Sequence, residues 1–420
     1  MIINGGDSMI DQKTMEKYAE LALKTGVNLQ KGQPIMITAP IETADFARIV
    51  VRKAWEIGAK DVLMNWVDDE LQLLKFQHAP EEVIGSFPEW RIKQYNSLAE
   101  EGGAVLNIYS TNPDLLKDVD PKRIALANKA SGEALTKFRE YTMTNRITWS
   151  IISVPTGDWA QKIFPNLSKE EAIKSLWDAI VKIVRVDQDD PIAAWEEHNK
   201  TLYKAHTILN EKKYKKLIFK APGTDLEIEL PEGHIWAGGS EKSTEGITFN
   251  PNMPTEEVFT MPHKYGVNGT VSSTKPLNYG GSLINHFSLT FKDGEVVDFK
   301  AEQGEDTLKH LLETDEGAKR LGEIALVPHE SPVSQSGLIF YNTLFDENAS
   351  CHIALGKAYP INIANGSNMT KEELDKHGVN DSMTHVDFMI GSEKLDIDGV
   401  LQDGTTEPVF RNGTWALDIK

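Results

Sequence analysis

Residues 34–66 read PIMITAPIETADFARIVVRKAWEIGAKDVLMNW, and their patterning decides the architecture of the first half of the chain. Pro34 to Thr38 is a short apolar run with the length of a strand. Thr43 to Ile57 is amphipathic: Phe46, Ile49, Val50 and Ala54 fall on one face of a helix, and Gly58 stands where that helix would stop. Asp61 to Trp66 supplies a second apolar run. A strand, a helix and a strand within 33 residues is the length of a crossover unit, and a crossover joins parallel strands.

The same alternation extends in both directions. Met15, Tyr18, Ala19 and Ala22 recur at helical spacing ahead of Gly26. Downstream, a helix leads to Gly102–Gly103 and a strand from Ala104 to Tyr109. A long helical region, Lys122 to Tyr141, precedes a strand from Ile147 to Val154. Ser168 and Glu171 have the spacing of a capping box that opens a helix through Val184, and a polar helix follows from Ile192 to about Lys213. The expectation is an α/β N-terminal domain with a mainly parallel sheet, residues 1–205.

The pattern changes after Lys216. Leu217 to Lys220 and Leu226 to Leu230 are short strands, and Asp293–Gly294 has the composition of a type I′ hairpin turn. Phe287, Leu289 and Phe291 share one face of the strand before that turn. Residues 206–420 are therefore expected to form an α+β C-terminal domain rich in antiparallel strands. Two domains also suit the length, because 420 residues exceed the roughly 250–300 at which single cores stop growing.

Charge and composition exclude several functions. The net charge of -19 opposes a phosphate backbone, so no nucleic-acid partner is expected. The glycine pairs Gly5–Gly6 and Gly102–Gly103 are not in a strand-to-helix setting, and no dinucleotide or Walker pattern occurs. No run approaches the ~20 apolar residues of a membrane span. The single cysteine, Cys351, rules out an intrachain disulfide, and the N-terminus lacks the charge and apolar run of a signal peptide. A cytoplasmic protein is expected, with Met9 an alternative start and residues 1–8 then an extension.

The chemistry gathers in the C-terminal half. In Met383–Ile390, read as a strand, His385 and Asp387 share one face while Val386, Phe388 and Ile390 take the other. That is a good mount for metal ligands, and equally the pattern of a polar solvent-facing side. His352 lies among apolar residues before Gly356, which suits a ligand or a hydrogen-bonded core histidine. Glu256 and Glu257 precede the apolar pair Val258–Phe259, and Glu323 stands among Leu321, Ile324, Ala325 and Leu326. A buried, unpaired carboxylate is costly, so a metal, a buried arginine or an exposed helix face would each account for Glu323. Two histidines with three or more carboxylates suit two divalent ions such as Zn, Mn or Co. HExxH, the zincin signature, does not occur.

Four segments carry a resemblance: NMPTEEVFT at 252–260, GEIALV at 322–327, NASCHIALG at 348–356, and HVDF from 385. In their order and spacing the chain resembles the aminopeptidase T family of metallopeptidases, which includes aminopeptidase S. The likeness in layout covers nearly the whole chain. It implies metal ligation by Glu257, Glu323, His352, His385 and Asp387, with Glu257 chosen over Glu256 for its separation from the other ligands. It also implies that Tyr359, seven residues after His352, stabilises the oxyanion, and that Glu347 is the general base or a further ligand. The implied activity is hydrolysis of N-terminal residues from peptides with a free N-terminus, by a homodimer with an internal cavity. Three rivals are a cysteine hydrolase using Cys351, a non-catalytic metal- or ligand-binding protein, and a two-metal hydrolase of non-peptide amides.

Overall fold

A computed structural model describes residues 10–110, 112–279 and 282–419. Gly5–Gly6 and the extension read at residues 1–8, with Met9, lie outside the described residues. The chain divides into two compact units, one of residues up to 197 with 240–254, the other of 198–239 with residues from 255 onward. Among the described residues, no helix is long and apolar enough to cross a membrane.

The first unit is built on a parallel sheet of β1 (Pro34–Pro40), β2 (Asp61–Val67), β3 (Ala104–Ile108) and β4 (Trp149–Ile152), in the order β2-β1-β3-β4. The apolar run of β1 is continuous because the strand is covered on both faces: Ile35, Met36, Ile37 and Ala39 are all fully buried. Between β1 and β2 the helix Ala44–Ile57 turns Phe46, Val50 and Ala54 inward, with Ile49 half-buried. It stops at Gly58, whose φ of 99° is left-handed, and the Gly58 N–H donates to Ala54 and Trp55 carbonyls. Both bonds of the Ser168–Glu171 capping box are present at the start of the helix Lys169–Ile183.

Two elements differ from the reading of the sequence. The helical region expected over 122–141 is two helices, Pro121–Ala134 and Thr136–Met143. At the junction the Thr136 hydroxyl donates to the carbonyls of Gly132 and Glu133, competing with the helical ladder. The strand expected over 147–154 shortens to Trp149–Ile152, and the segment 240–254 returns to it: Ile151 donates to Pro251 O at 2.8 Å and accepts from Met253 N at 3.0 Å.

The carboxyl edge of a doubly wound sheet is where such folds take ligands. Here it opens into a cavity of about 740 Å³ lined by Glu42, Asp68, Asp69, Asp114 and Asp158, with Lys169. At two helix starts on its rim a carboxylate already takes a backbone N–H: Asp68 caps the helix Asp69–His78, and Glu42 accepts from the Gly157 N–H at 3.2 Å.

The second unit is antiparallel. Among the described residues its larger sheet has nine strands and contains the expected hairpin, Ser282–Lys292 with Glu295–Gln303, turned by Asp293 and Gly294, both at positive φ. Phe287, Leu289 and Phe291 are buried, as their spacing requires. A second sheet has four strands, β5 (Val258–Thr260), β6 (Leu321–Leu326), β7 (His352–Gly356) and β8 (His385–Met389), in the order β8-β7-β6-β5. One face of this sheet, with Ile324, Leu326, Ile353, Leu355 and Phe388, packs into a core shared with the large sheet, where Phe287 and Phe388 rings lie 5.2 Å apart. Alternation then puts Glu323, His352, Ala354, Gly356, His385 and Asp387 on the opposite face.

Candidate metal centre

Glu323 is in a fully buried strand and not on an exposed helix face, because β6 is flanked on both sides by β5 and β7. Across the ladder, Glu323 and Asp387 both pair with Ala354, while His385 pairs with Gly356 and His352 with Ala325. Cross-strand partners share a face, so four acidic and basic side chains converge over the two smallest residues of β7. Glu257 reaches the same face from the residue just before β5.

The distances define two groups of potential donors. His352 Nε2 lies 3.2 Å from Glu257 Oε2 and 3.6 Å from Glu323 Oε1. His385 Nε2 lies 3.6 Å from Glu323 Oε2 and 3.4 Å from Asp387 Oδ1. Glu257, Glu323 and His352 form one set able to hold an ion, and Glu323, His385 and Asp387 form a second. Glu323 belongs to both, with one oxygen turned toward each imidazole.

Each histidine is oriented by its other ring nitrogen. His352 Nδ1 is 3.1 Å from the Ser350 carbonyl, and His385 Nδ1 is 2.7 Å from the Lys357 carbonyl. Nδ1–H donation to those carbonyls leaves both Nε2 atoms directed into the cluster, the arrangement found around metal-binding imidazoles.

The electrostatics are those of a site with excess negative charge. Burial lifts the Glu323 carboxyl to about 7; the bond with His352 opposes this, and Asp387 and Glu257 add to it. Burial works against a charged His352, but Glu257 and Glu323 outweigh it and hold the imidazole well above its usual range. The same contest, with Asp387 prevailing over burial, brings His385 to about 9. Burial would raise Asp387, yet His385 beside it keeps that carboxyl below the ordinary range. Glu257 Oε2 and Asp387 Oδ1 are buried atoms without a hydrogen-bond partner. Carboxylate oxygens without a hydrogen-bond partner, gathered around two imidazole Nε2 atoms that can give up their protons, are what a divalent cation would satisfy, so the residues fit a metal.

Two further residues border the cluster. The Tyr359 ring is 4.8 Å from the His385 ring, and burial, followed by the neighbouring carboxylates, pushes its phenol up. Glu347 sits in the turn Glu347–Ala349 ahead of β7, where burial and then the charges of Glu257 and Asp387 hold its carboxyl well above the usual range. It belongs to neither three-residue set.

Of the Glu256–Glu257 pair, Glu257 faces His352, while Glu256 lies 3.6 Å from His198. Cys351 is turned to the opposite side of β7 from the cluster. Its thiol, buried in the hydrophobic core, donates to Val327 O and accepts from Val327 N, and burial raises it to about 12, an environment that speaks against a nucleophilic cysteine. Sequence reasoning passed over Ala354 and Asn348, although both fall inside the 348–356 motif.

The chain matches the peptidase M29 family, described as thermophilic metalloprotease (M29), over residues 11–415. It is 60% identical over 408 residues to "Aminopeptidase 2" of Geobacillus stearothermophilus, covering 97% of this chain and 99% of that one. It is 52% identical over 403 residues to "Aminopeptidase AmpS" of Bacillus subtilis, covering 96% and 98% of the two chains. Among solved structures, wild-type AmpT from Thermus thermophilus superposes with a TM-score of 0.91 at 42% identity, over 97% of this chain and all of that one.

Proposed function

This chain belongs to the M29 family of metalloproteases and is a metal-dependent aminopeptidase, and from that premise we propose that it hydrolyses N-terminal peptide bonds with two divalent ions sharing Glu323. The observation that carries the two-ion reading is the division of the Glu323 carboxylate, one oxygen toward His352 and the other toward His385. In this reading Glu257, Glu323 and His352 hold one ion, and Glu323, His385 and Asp387 hold the other. Two imidazoles and three carboxylates suit Zn, Co or Mn. The family resemblance supports a homodimer, and we place its work in the cytoplasm.

Ions held by these residues would supply Lewis acidity, lowering the pKa of the attacking water and polarising the scissile carbonyl. Glu347 accepts the proton of that water and returns it to the leaving amine, a task suited to a carboxyl held above its usual range. Tyr359, protonated throughout, donates its O–H to the oxyanion that forms as the carbonyl carbon becomes tetrahedral. His352 and His385 stay fixed by the Ser350 and Lys357 carbonyls, so neither needs to reorient during turnover.

The deciding assay uses a panel of aminoacyl chromogenic amides with the protein as isolated, after chelation, and after addition of zinc, cobalt or manganese. Release from free-amine substrates but not from N-blocked ones, restored by metal, is expected. A protein that binds metal stoichiometrically and turns over no such substrate would be a binding protein or a hydrolase of other amides.

A further inference from the structure

Glu257 and His352 come from strands that are not neighbours. Glu257 immediately precedes β5 and His352 begins β7, with β6 between them. Strands two places apart in a sheet are roughly 9.5 Å apart, so the ladder alone does not set the distance between these side chains. Their 3.2 Å approach depends on how the chain ahead of β5 is held against the chain ahead of β7.

One side chain makes that connection directly. Asn348, fully buried, lies in the turn that leads into His352, next to Glu347. Its Oδ1 accepts the Glu256 N–H at 2.7 Å, and its Nδ2 donates to the Leu344 carbonyl at 2.9 Å. Its own carbonyl accepts from Ser331 Oγ at 3.0 Å. The amide therefore grips the backbone one residue before Glu257 while being anchored on the segment that carries Glu347 and His352. An amide oxygen is suited to this place, since a carboxylate would add charge beside Glu347 and an apolar residue would strand a buried N–H.

We infer that Asn348 is a positioning residue: it holds Glu257 at ion-binding distance from His352, and so tunes one of the two donor sets without touching the other. The inference rests on the two-ion reading above. The alternative is a buried asparagine that only stabilises the fold, and the two differ in what they do to each ion separately.

The test is a stepwise cobalt titration of the metal-free full-length protein, followed by visible absorption, with Glu257→Gln and Asp387→Asn identifying the two steps. Asn348→Ala is expected to weaken the Glu257-dependent step by about tenfold, the lower end of what groups bonded directly to a metal ligand contribute, and to leave the Asp387-dependent step within about threefold. Equal weakening of both steps, or wild-type affinity for both, overturns the inference. A single cobalt step in the wild-type protein would instead overturn the two-ion reading beneath it. Should Asn348→Ala fail to fold, amide exchange in the metal-free wild type decides: protection at Glu256 matching that of the β6 amides is expected, and exchange at a loop rate overturns the clamp.

Discussion

Glu323 and Asp387, on strands either side of β7, stand opposite the same residue, Ala354. The gap between the two carboxylates exists because that residue ends at Cβ. Any larger side chain would project from the same face into the space the carboxylates enclose. Ala354→Val is therefore expected to overpack the site, costing roughly 1–3 kcal/mol of stability and lowering metal occupancy. Metal content by atomic absorption, alongside thermal unfolding, checks it; a stable variant with full metal content would show that the space above Ala354 is not the cradle.

In the two-ion reading proposed above, Glu323 serves both donor sets, and its loss should differ from that of any other donor. Glu323→Gln should impair binding of both ions and abolish measurable turnover. Glu257→Gln and Asp387→Asn should each impair one. Equilibrium dialysis with zinc distinguishes these, because only the Glu323 variant should approach zero bound ions per chain at concentrations that saturate the wild type.

Metal binding should depend steeply on pH. Without an ion, Glu323 titrates near 7, His385 near 9, and His352 holds its proton above the usual range. An ion must displace those protons, so affinity rises with pH through the range in which they titrate, by about tenfold per unit for each proton released. The stability of the metal-free protein moves the other way. Folded values above the ordinary 4.5 and 6.5 mean that the native state binds protons more tightly than the unfolded chain. That contribution is complete below the ordinary values; it fades between about 4.5 and 7 for Glu323 and between about 6.5 and 9 for His385. Calorimetric titration in two buffers of different ionisation enthalpy counts the protons, and a count of zero would contradict the assignment.

Gly356 pins β8 at His385. Its φ is 107°, and a Cβ there would lie 2.1 Å from the Thr384 carbonyl, backbone that cannot give way cheaply. Gly356→Ala is expected to cost about 1–3 kcal/mol and to shift His385 away from Asp387. Unfolding temperatures with and without zinc read both effects: a smaller metal-induced stabilisation than in the wild type is expected, and an equal one would mean that β8 keeps its place.

Tyr359→Phe removes one hydroxyl and leaves the ring against His385. If the hydroxyl serves the oxyanion, kcat falls by roughly 10²–10³ while bound metal and KM change little. A fall in metal content that accounts for the lost rate would assign the tyrosine to holding the site and not to the reaction.

Much of the frame was legible in order along the chain. The strand–helix–strand pattern of 34–66 depends on neighbours within one or two turns, and the capping box at Ser168 and the turn at Asp293–Gly294 depend on four residues or fewer. The break at Leu135 was not legible, because Thr136 sits in a run that otherwise keeps helical spacing, and only its hydroxyl bonds to Gly132 and Glu133 reveal the competition. The return of 240–254 to β4 was equally hidden, since its pairing partner lies about a hundred residues away.

His385 and Asp387 could be put on one face by alternation alone, and the resemblance supplied the other donors as a set. What residue spacing could not supply was their convergence. LGEIAL reads equally as a strand or a helical turn until β5 and β7 close on both its edges and bury Glu323. Local pattern determined the elements and the faces of this protein, because periodicity is a property of a few consecutive residues. Tertiary structure alone decided that Glu323 divides its oxygens between two histidines, that Ala354 leaves the space between carboxylates, and that Asn348 reaches Glu256. Those relations are contacts between segments far apart in the chain, and such contacts exist only once the sheet has formed.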